Sequence, residues 1–273
     1  MDISYIPAAI GYGARVLTSV QVQRVLSEGN RVVGVEGQVA EPFTGRLSHK
    51  FRVDADIVVL AAGCMATPVL LQHSGNLANR SGEVGQNLQF HPGVAVAAVF
   101  PDRVDPQFGA TQGYQSLQFL EEGFKLETLW APPPALAIRI PGSGSELQNR
   151  FMEMSRLAVW DAIISADRSL GTVKARRRSM DPDLHWNLHP EDVKTMTRAL
   201  WILAEICFAA GAEKVLTGVQ GVAEEMFSLE EAEPLRSRTF SPSSMATGGN
   251  HVFCTTRMHG DPTQGVVDEL GRC

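Results

Sequence analysis

The densest set of reactive side chains in the chain is its closing run, HVFCTTRMHGDPTQGVVDELGRC, residues 251–273. It holds two histidines, two cysteines, an Arg-Met pair and an Asp-Pro pair. Neutral imidazole titrates near working pH, so a histidine here has the chemistry of a general base. The run also has soft-ligand chemistry. Structural zinc wants four N or S ligands in tight pairs. His251, Cys254 and His259 are compactly spaced, but Cys273 follows only after a long gap, and no metal is assigned. Near the other end, GYGA (11–14) offers two glycines of a dinucleotide-binding loop. That loop needs a third glycine three residues later, behind a strand and opening a helix. Position 16 is Val and a strand-like run follows, which sets this reading aside.

Three segments taken together carry more. They are AAGCMATPVLLQHSG (61–75), VGQNLQFHP (84–92) and HVFCTTRMHGDPTQGVVDELGR (251–272). In order and spacing they resemble the motifs of the glucose-methanol-choline (GMC) oxidoreductases, FAD enzymes that oxidise alcohols. Gly63, Thr67, Pro68, Leu70, Leu71, Ser74 and Gly75 fit the family's second signature. Cys64 stands there for a small residue, and Asn76-Leu77 for an aliphatic-Gly pair. In the closing motif His251, Thr255, Arg257, Met258, Asp261, Pro262, Val266, Val267, Asp268, Gly271 and Arg272 match. Cys254, Thr256 and His259 occupy the family's Gly, Cys and Gly positions. Phe90 replaces an Asp common in the family, and His91-Pro92 leans toward the long-chain alcohol oxidase branch.

The resemblance implies an FAD-dependent oxidoreductase acting on CH–OH groups. An alcohol becomes a carbonyl, hydride passes to flavin N5, and a histidine takes the proton. By the same resemblance His251 is the catalytic base, Val22 lies where backbone meets the adenine, and Ala62 and Gly63 lie against the cofactor. The implied substrate is a small-molecule alcohol. His91 is a candidate for the edge of the site, set against the reading of a structural loop residue. For His251 the alternative is a plain surface-loop histidine. The family's glycine-rich FAD fingerprint and its second active-site His or Asn have no counterpart here. The chain therefore resembles the latter half of such an enzyme. Its alternatives are an inactive fragment, or half of a split enzyme whose partner chain supplies the missing FAD-domain segments.

The elements that must position these residues are legible in part. Residues 14–36 alternate around Glu28-Gly29-Asn30 as a β-hairpin does. ADIVVLAAG (55–63) reads as a strand buried on both faces. Thr67-Pro68 reads as a helix start, with Thr as N-cap. A helix is expected across 145–166, short strands at 171–177 and 183–189, and a long helix from Pro190 to Gly211. Val193, Met196, Leu200, Leu203 and Ile206-Cys207 share that helix's apolar face. SLEEAEPL (228–235) suggests one more short helix. The implied fold class is α/β plus α+β. A partial FAD-binding, Rossmann-like domain (1–78) is followed by an inserted substrate-binding domain (79–235), a β-sheet flanked by helices. Residues 236–273 return to the FAD-binding domain.

Composition narrows the field further. The chain is 44% hydrophobic and 20% charged, as soluble globular proteins are. A net charge of −6 argues against a nucleic-acid partner. The basic run KARRR (174–178) reads as a solvated strand end. No apolar run approaches the ~18 residues that span a bilayer, and no signal peptide opens the chain. Cysteines at 64, 207, 254 and 273 make no disulfide framework, which suits a reduced, cytoplasmic setting.

Overall fold

The turn residues Gly29 and Asn30 do what their types predict. They close a hairpin of two antiparallel strands, with Glu28 opposite Arg31. A computed structural model describes the whole chain except residues 107, 110, 111, 130, 131, 133, 136–139, 141 and 250. Two positions of the proline-rich stretch 131–134 thus lie outside the described residues. In chain order the first elements are α1 (Tyr5–Gly11), β1 (Val20–Glu28), β2 (Arg31–Ala40), β3 (Leu47–Asp54) and α2 (Gly63–His73). Then come β4 (Gln89–Phe90), β5 (Gly93–Val99), β6 (Gln115–Ser116), β7 (Phe124–Thr128), α3 (Gly144–Met152) and β8 (Leu157–Ile164). The last are β9 (Thr172–Ala175), β10 (Pro182–His185), α4 (Pro190–Ala209), β11 (Lys214–Leu216), α5 (Pro234–Ser237) and β12 (Val252–Phe253).

The chain divides into two compact units. One comprises residues 1–86, 172–184 and 254–273; the other comprises 87–171 and 185–253. The expected division at 78/79 and 235/236 differs from these units by 79–86, 172–184 and 236–253.

In the first unit β1, β2 and β3 form an antiparallel meander. Helix α2 is tied to it through Ser74, whose hydroxyl accepts from Val25 N (2.8 Å) and donates to Leu70 O (2.6 Å). On its other side α2 holds the edge of β9. The Gln72 side chain donates to Val173 O (2.9 Å) and accepts from Ala175 N (2.6 Å), a two-point clamp. Leu71, Val84 and Val266 share a small core, so the closing run is pinned to α2.

Two expectations fail in this unit. Residues 55–62 form no strand, and Ile57 and Val59 are 82% and 83% exposed. A strand buried on both faces needs a ladder neighbour and covering layers, and no strand pairs with this run among the described residues. Helix α2 begins at Gly63, with Ala62 as N-cap, so Pro68 sits inside it rather than at its start. Strand β3 has no counterpart in the sequence reading. Its residues are exposed on both faces apart from half-buried Phe51, although Leu47, Phe51 and Val53 alternate with polar Ser48, Lys50, Arg52 and Asp54 as a strand's residues do.

The second unit is built on an antiparallel sheet in the order β11-β5-β8-β7-β6. One face, with Val94, Val96, Leu126, Ala162 and Ile164, packs against Val193, Met196, Leu200, Leu203 and Cys207 of α4. This is the helix face read from the sequence, save that Ile206 points outward. Helix α4 starts as its sequence requires: Pro190 opens it, and His189 Nδ1 accepts from Glu191 N (3.2 Å). The opposite sheet face buries Val99, Leu157, Val159 and Leu216 against Ile140 and Met154.

The helix expected over 145–166 stops at Met152, and Leu157–Ile164 is instead strand β8. Here the period of two wins: Leu157, Val159 and Asp161 are buried on one face while their partners in β5 run from Val99 to Ala95. Residues 228–233 are turns, and only Pro234–Ser237 forms a helical turn. Among the described residues no helix is long and apolar enough to cross a membrane.

Candidate functional site

His251 stands one residue before β12, which pairs antiparallel with β4 through Val252–Phe90 and Phe253–Gln89. Below this short ribbon Gly93 and Gly248 exchange both backbone hydrogen bonds, at 2.6 and 3.1 Å. His91 N donates to His251 O at 3.2 Å. The approach is close throughout: a Cβ on Gly249 would come within 2.8 Å of His91 O. The His251 ring is exposed, as a group that exchanges protons with a small molecule must be.

Beside it lies the His91 ring, with centroids 5.9 Å apart and ring planes at 88°. Phe253 flanks His91 on a second side at 4.6 Å. Phe90, pointing to the other side of the ribbon, meets the edge of Trp186 at 4.9 Å, and Trp186 Nε1 donates to Ser169 O (2.7 Å). Burial pushes the His91 imidazole below its ordinary value, and the neighbouring His251 and Lys125 push the same way against Asp167.

The residues expected against the cofactor all fall in the first unit. Val22 is half-buried at a register shift of β1, where the ladder skips between Val22 and Arg24. Such bulges redirect backbone groups. Ala62 and Gly63 are exposed at the start of α2, Gly63 has φ +78°, and a Cβ there would meet nothing within 4 Å. The first N–H groups of a helix lack intrahelical partners, so this end offers donors to a polar ligand.

The closing run folds largely on itself. Met258 and Val267 bridge in parallel, and His259 N donates to Val267 O (2.9 Å). Asp261 accepts from Thr263 N (2.8 Å), and the Thr263 hydroxyl and backbone bonds hold its carboxyl below the usual range. Asp268 accepts from Arg272 N and Nε, both at 2.8 Å. The Asp261, Val267, Asp268 and Arg272 matches thus have local architectural reasons. Asp268 and Arg272, with His259, Val266 and Val267, line a cavity of about 440 Å³. Another cavity in this unit, about 640 Å³, is lined by residues including Gln21, Gln23, Arg24, Gln38, His73 and Arg178 and by none of the candidate residues.

One buried residue matters more than its motif match suggested. Thr255 is 1% exposed; its hydroxyl donates to Cys64 O, and its carbonyl accepts from Gly85 N (2.8 Å). The sequence did hold a signal for this. Pro68 lies four residues after Cys64 and has no N–H, so the Cys64 carbonyl lacks its helical donor and needs another. Gly85 is required in turn: its φ is +80°, and a Cβ would lie 2.2 Å from Val173 O. Cys254, at the family's Gly position, has φ +73°. Among the described residues no group of three or more His, Cys, Asp or Glu side chains is arranged to hold a metal ion.

Comparison with known proteins agrees with the motifs. Two family models, both described as GMC oxidoreductase, match residues 1–93 and 167–273. An uncharacterized GMC-type oxidoreductase of Mycobacterium tuberculosis is 31% identical over 273 residues, covering 100% of this chain and 41% of that protein. A long-chain-alcohol oxidase of Arabidopsis thaliana is 27% identical over 234 residues, 79% of this chain and 30% of that protein. The chain thus spans less than half the length of either relative. Pyridoxine 4-oxidase from Mesorbium loti shares the fold, with a TM-score of 0.61 at 19% identity, over 93% of this chain and 50% of that one. Motifs, family models and fold converge: the chain belongs to the GMC oxidoreductase family.

Proposed function

We propose that this chain supplies the base and the substrate-side surface of an FAD-dependent oxidoreductase that converts an alcohol to a carbonyl. The observation that carries the reading is His251: an exposed imidazole at the head of the family's closing motif, held on a paired ribbon against a second imidazole. Its ring accepts the hydroxyl proton of the alcohol, and the ribbon holds its backbone in place. Relatives named long-chain-alcohol oxidases support an alcohol as the donor. The first unit is the FAD-binding part and the second the substrate-binding part.

The residues present fit contact with FAD but not its anchorage. The open backbone at Ala62–Gly63 and the bulge at Val22 suit a flat ring system and its polar edges. A pyrophosphate is held by a glycine-rich turn opening a helix. No such strand–turn–helix occurs among the described residues. FAD, when bound, supplies the hydride acceptor. A second reading has its own support: the exposed Ile57 and Val59 suit a run that pairs with strands from another polypeptide segment or partner chain.

The test is His251→Ala in a flavin-loaded protein containing this chain. A lost acid-base group lowers kcat/KM for alcohol by roughly 10²–10⁴-fold while flavin content stays constant. A loss under about threefold, at full flavin content, excludes His251 as the base.

A further inference from the structure

We infer that His91 is a positioning residue for His251: wedged between the rings of His251 and Phe253, its imidazole fixes the direction in which the His251 ring presents its nitrogens. The inference rests on the reading of His251 as the base. It goes beyond the motif match, where His91 is only a candidate for the site's edge.

An exposed histidine on a chain segment beside a two-residue strand has little to hold its side chain. The structure supplies two constraints. The first is backbone. His91 N donates to His251 O (3.2 Å), the Gly93–Gly248 pair closes the ribbon below, and Gly249 allows the approach. Pro92 follows His91 and confines it to extended conformations. The second constraint is the ring contact. At 5.9 Å and 88° the two imidazoles stand edge to face, which restricts rotation of the exposed one. His91 is itself backed by Phe253 at 4.6 Å, so it is a fixed wall rather than a second mobile ring.

The surrounding charges suit this role. The groups acting on His91 are His251 from the β12 side, Lys125 from β7 and Asp167 from the turn after β8. Half-buried, and facing one cation and a second imidazole, His91 resists protonation. It therefore stays an uncharged support while the exposed ring handles the proton.

The test is a double-mutant cycle on kcat in the flavin-loaded protein, with His91→Ala, His91→Phe, His251→Ala and the His91→Ala/His251→Ala pair. Misdirecting a base by a fraction of an ångström to one ångström costs roughly 10–100-fold. His91→Ala is expected to lower kcat by that amount with KM nearly unchanged. His91→Phe, which keeps the ring wall, should restore most of the loss. In the His251→Ala background the His91→Ala change should cost less than about twofold, because a positioner has nothing left to position. Equal losses in both backgrounds would overturn the inference and leave His251 standing as the base. A mild His251→Ala would remove the base reading and this inference together. A readout independent of turnover is the ring titration of His91 by NMR: His251→Ala should raise its midpoint, and no change would show that the two rings are not coupled.

Discussion

Thr255→Val replaces one buried hydroxyl with a methyl of the same shape, and its cost can be worked from one bond. In α2 the Cys64 carbonyl would accept from the amide of residue 68, but Pro68 has none. The Thr255 hydroxyl takes that place across the fold. Removing it leaves a partly buried carbonyl without its donor, which costs about 1–3 kcal/mol. No cavity term is added, because Val fills the volume. Amide exchange read by mass spectrometry on peptides covering 63–73 should therefore quicken about 5- to 150-fold, the same free energy expressed as a rate ratio. Thr255→Ser, which keeps the hydroxyl, should stay close to wild type. Pro68→Ala gives the Cys64 carbonyl a donor of its own, so Thr255→Val should cost much less in that background. If the cost were the same with Pro68 in place and after Pro68→Ala, the hydroxyl would not be the surrogate for the missing helical donor.

Other outcomes follow from single positions. Cys254 holds a left-handed backbone at φ +73°, so Cys254→Gly should stabilise by about 1 kcal/mol, measured by the urea midpoint. Gly85→Ala should do the reverse, with at least about 2 kcal/mol lost, since its Cβ would lie 2.2 Å from Val173 O at φ +80°. His91 has a lowered pKa, so the unfolded chain binds its proton more readily. Stability should then fall as pH drops below the ordinary value of 6.5, and His91→Phe should flatten that part of the profile. The 273-residue chain expressed by itself should carry no stoichiometric flavin, because no strand, glycine-rich turn and helix follow one another among the described residues. A yellow protein with one flavin per chain would refute that.

The parts of the fold legible in the sequence were those whose signal is local. The hairpin expected over 14–36, and formed by Val20–Glu28 and Arg31–Ala40, carries its own turn residues, and α4 carries Pro190, two acids in its first turn and one apolar face. Residues 55–62 misled because an apolar run says only that burial is wanted, while burial depends on neighbours. The stretch 157–164 misled because Leu, Ala and Ile serve either state, and pairing with β5 decided it. At the candidate site, the motif resemblance singled out His251. Its contact with His91 was not legible, because the two lie far apart along the chain and only the β4–β12 pairing brings them together. Thr255 lay between these cases: its partner was implied by Pro68, yet nothing local pointed to it.

The role proposed for His251 is to take the proton of the alcohol. Its most direct measurement is single-turnover, anaerobic flavin reduction by alcohol, followed by the loss of flavin absorbance in stopped flow. His251→Ala should slow the limiting reduction rate by roughly 10²–10⁴-fold. His259→Gly, a change in the same run toward the family's residue, should leave it within about threefold. Equal, small effects of the two substitutions on fully flavin-loaded protein would contradict the account and make His251 a loop residue.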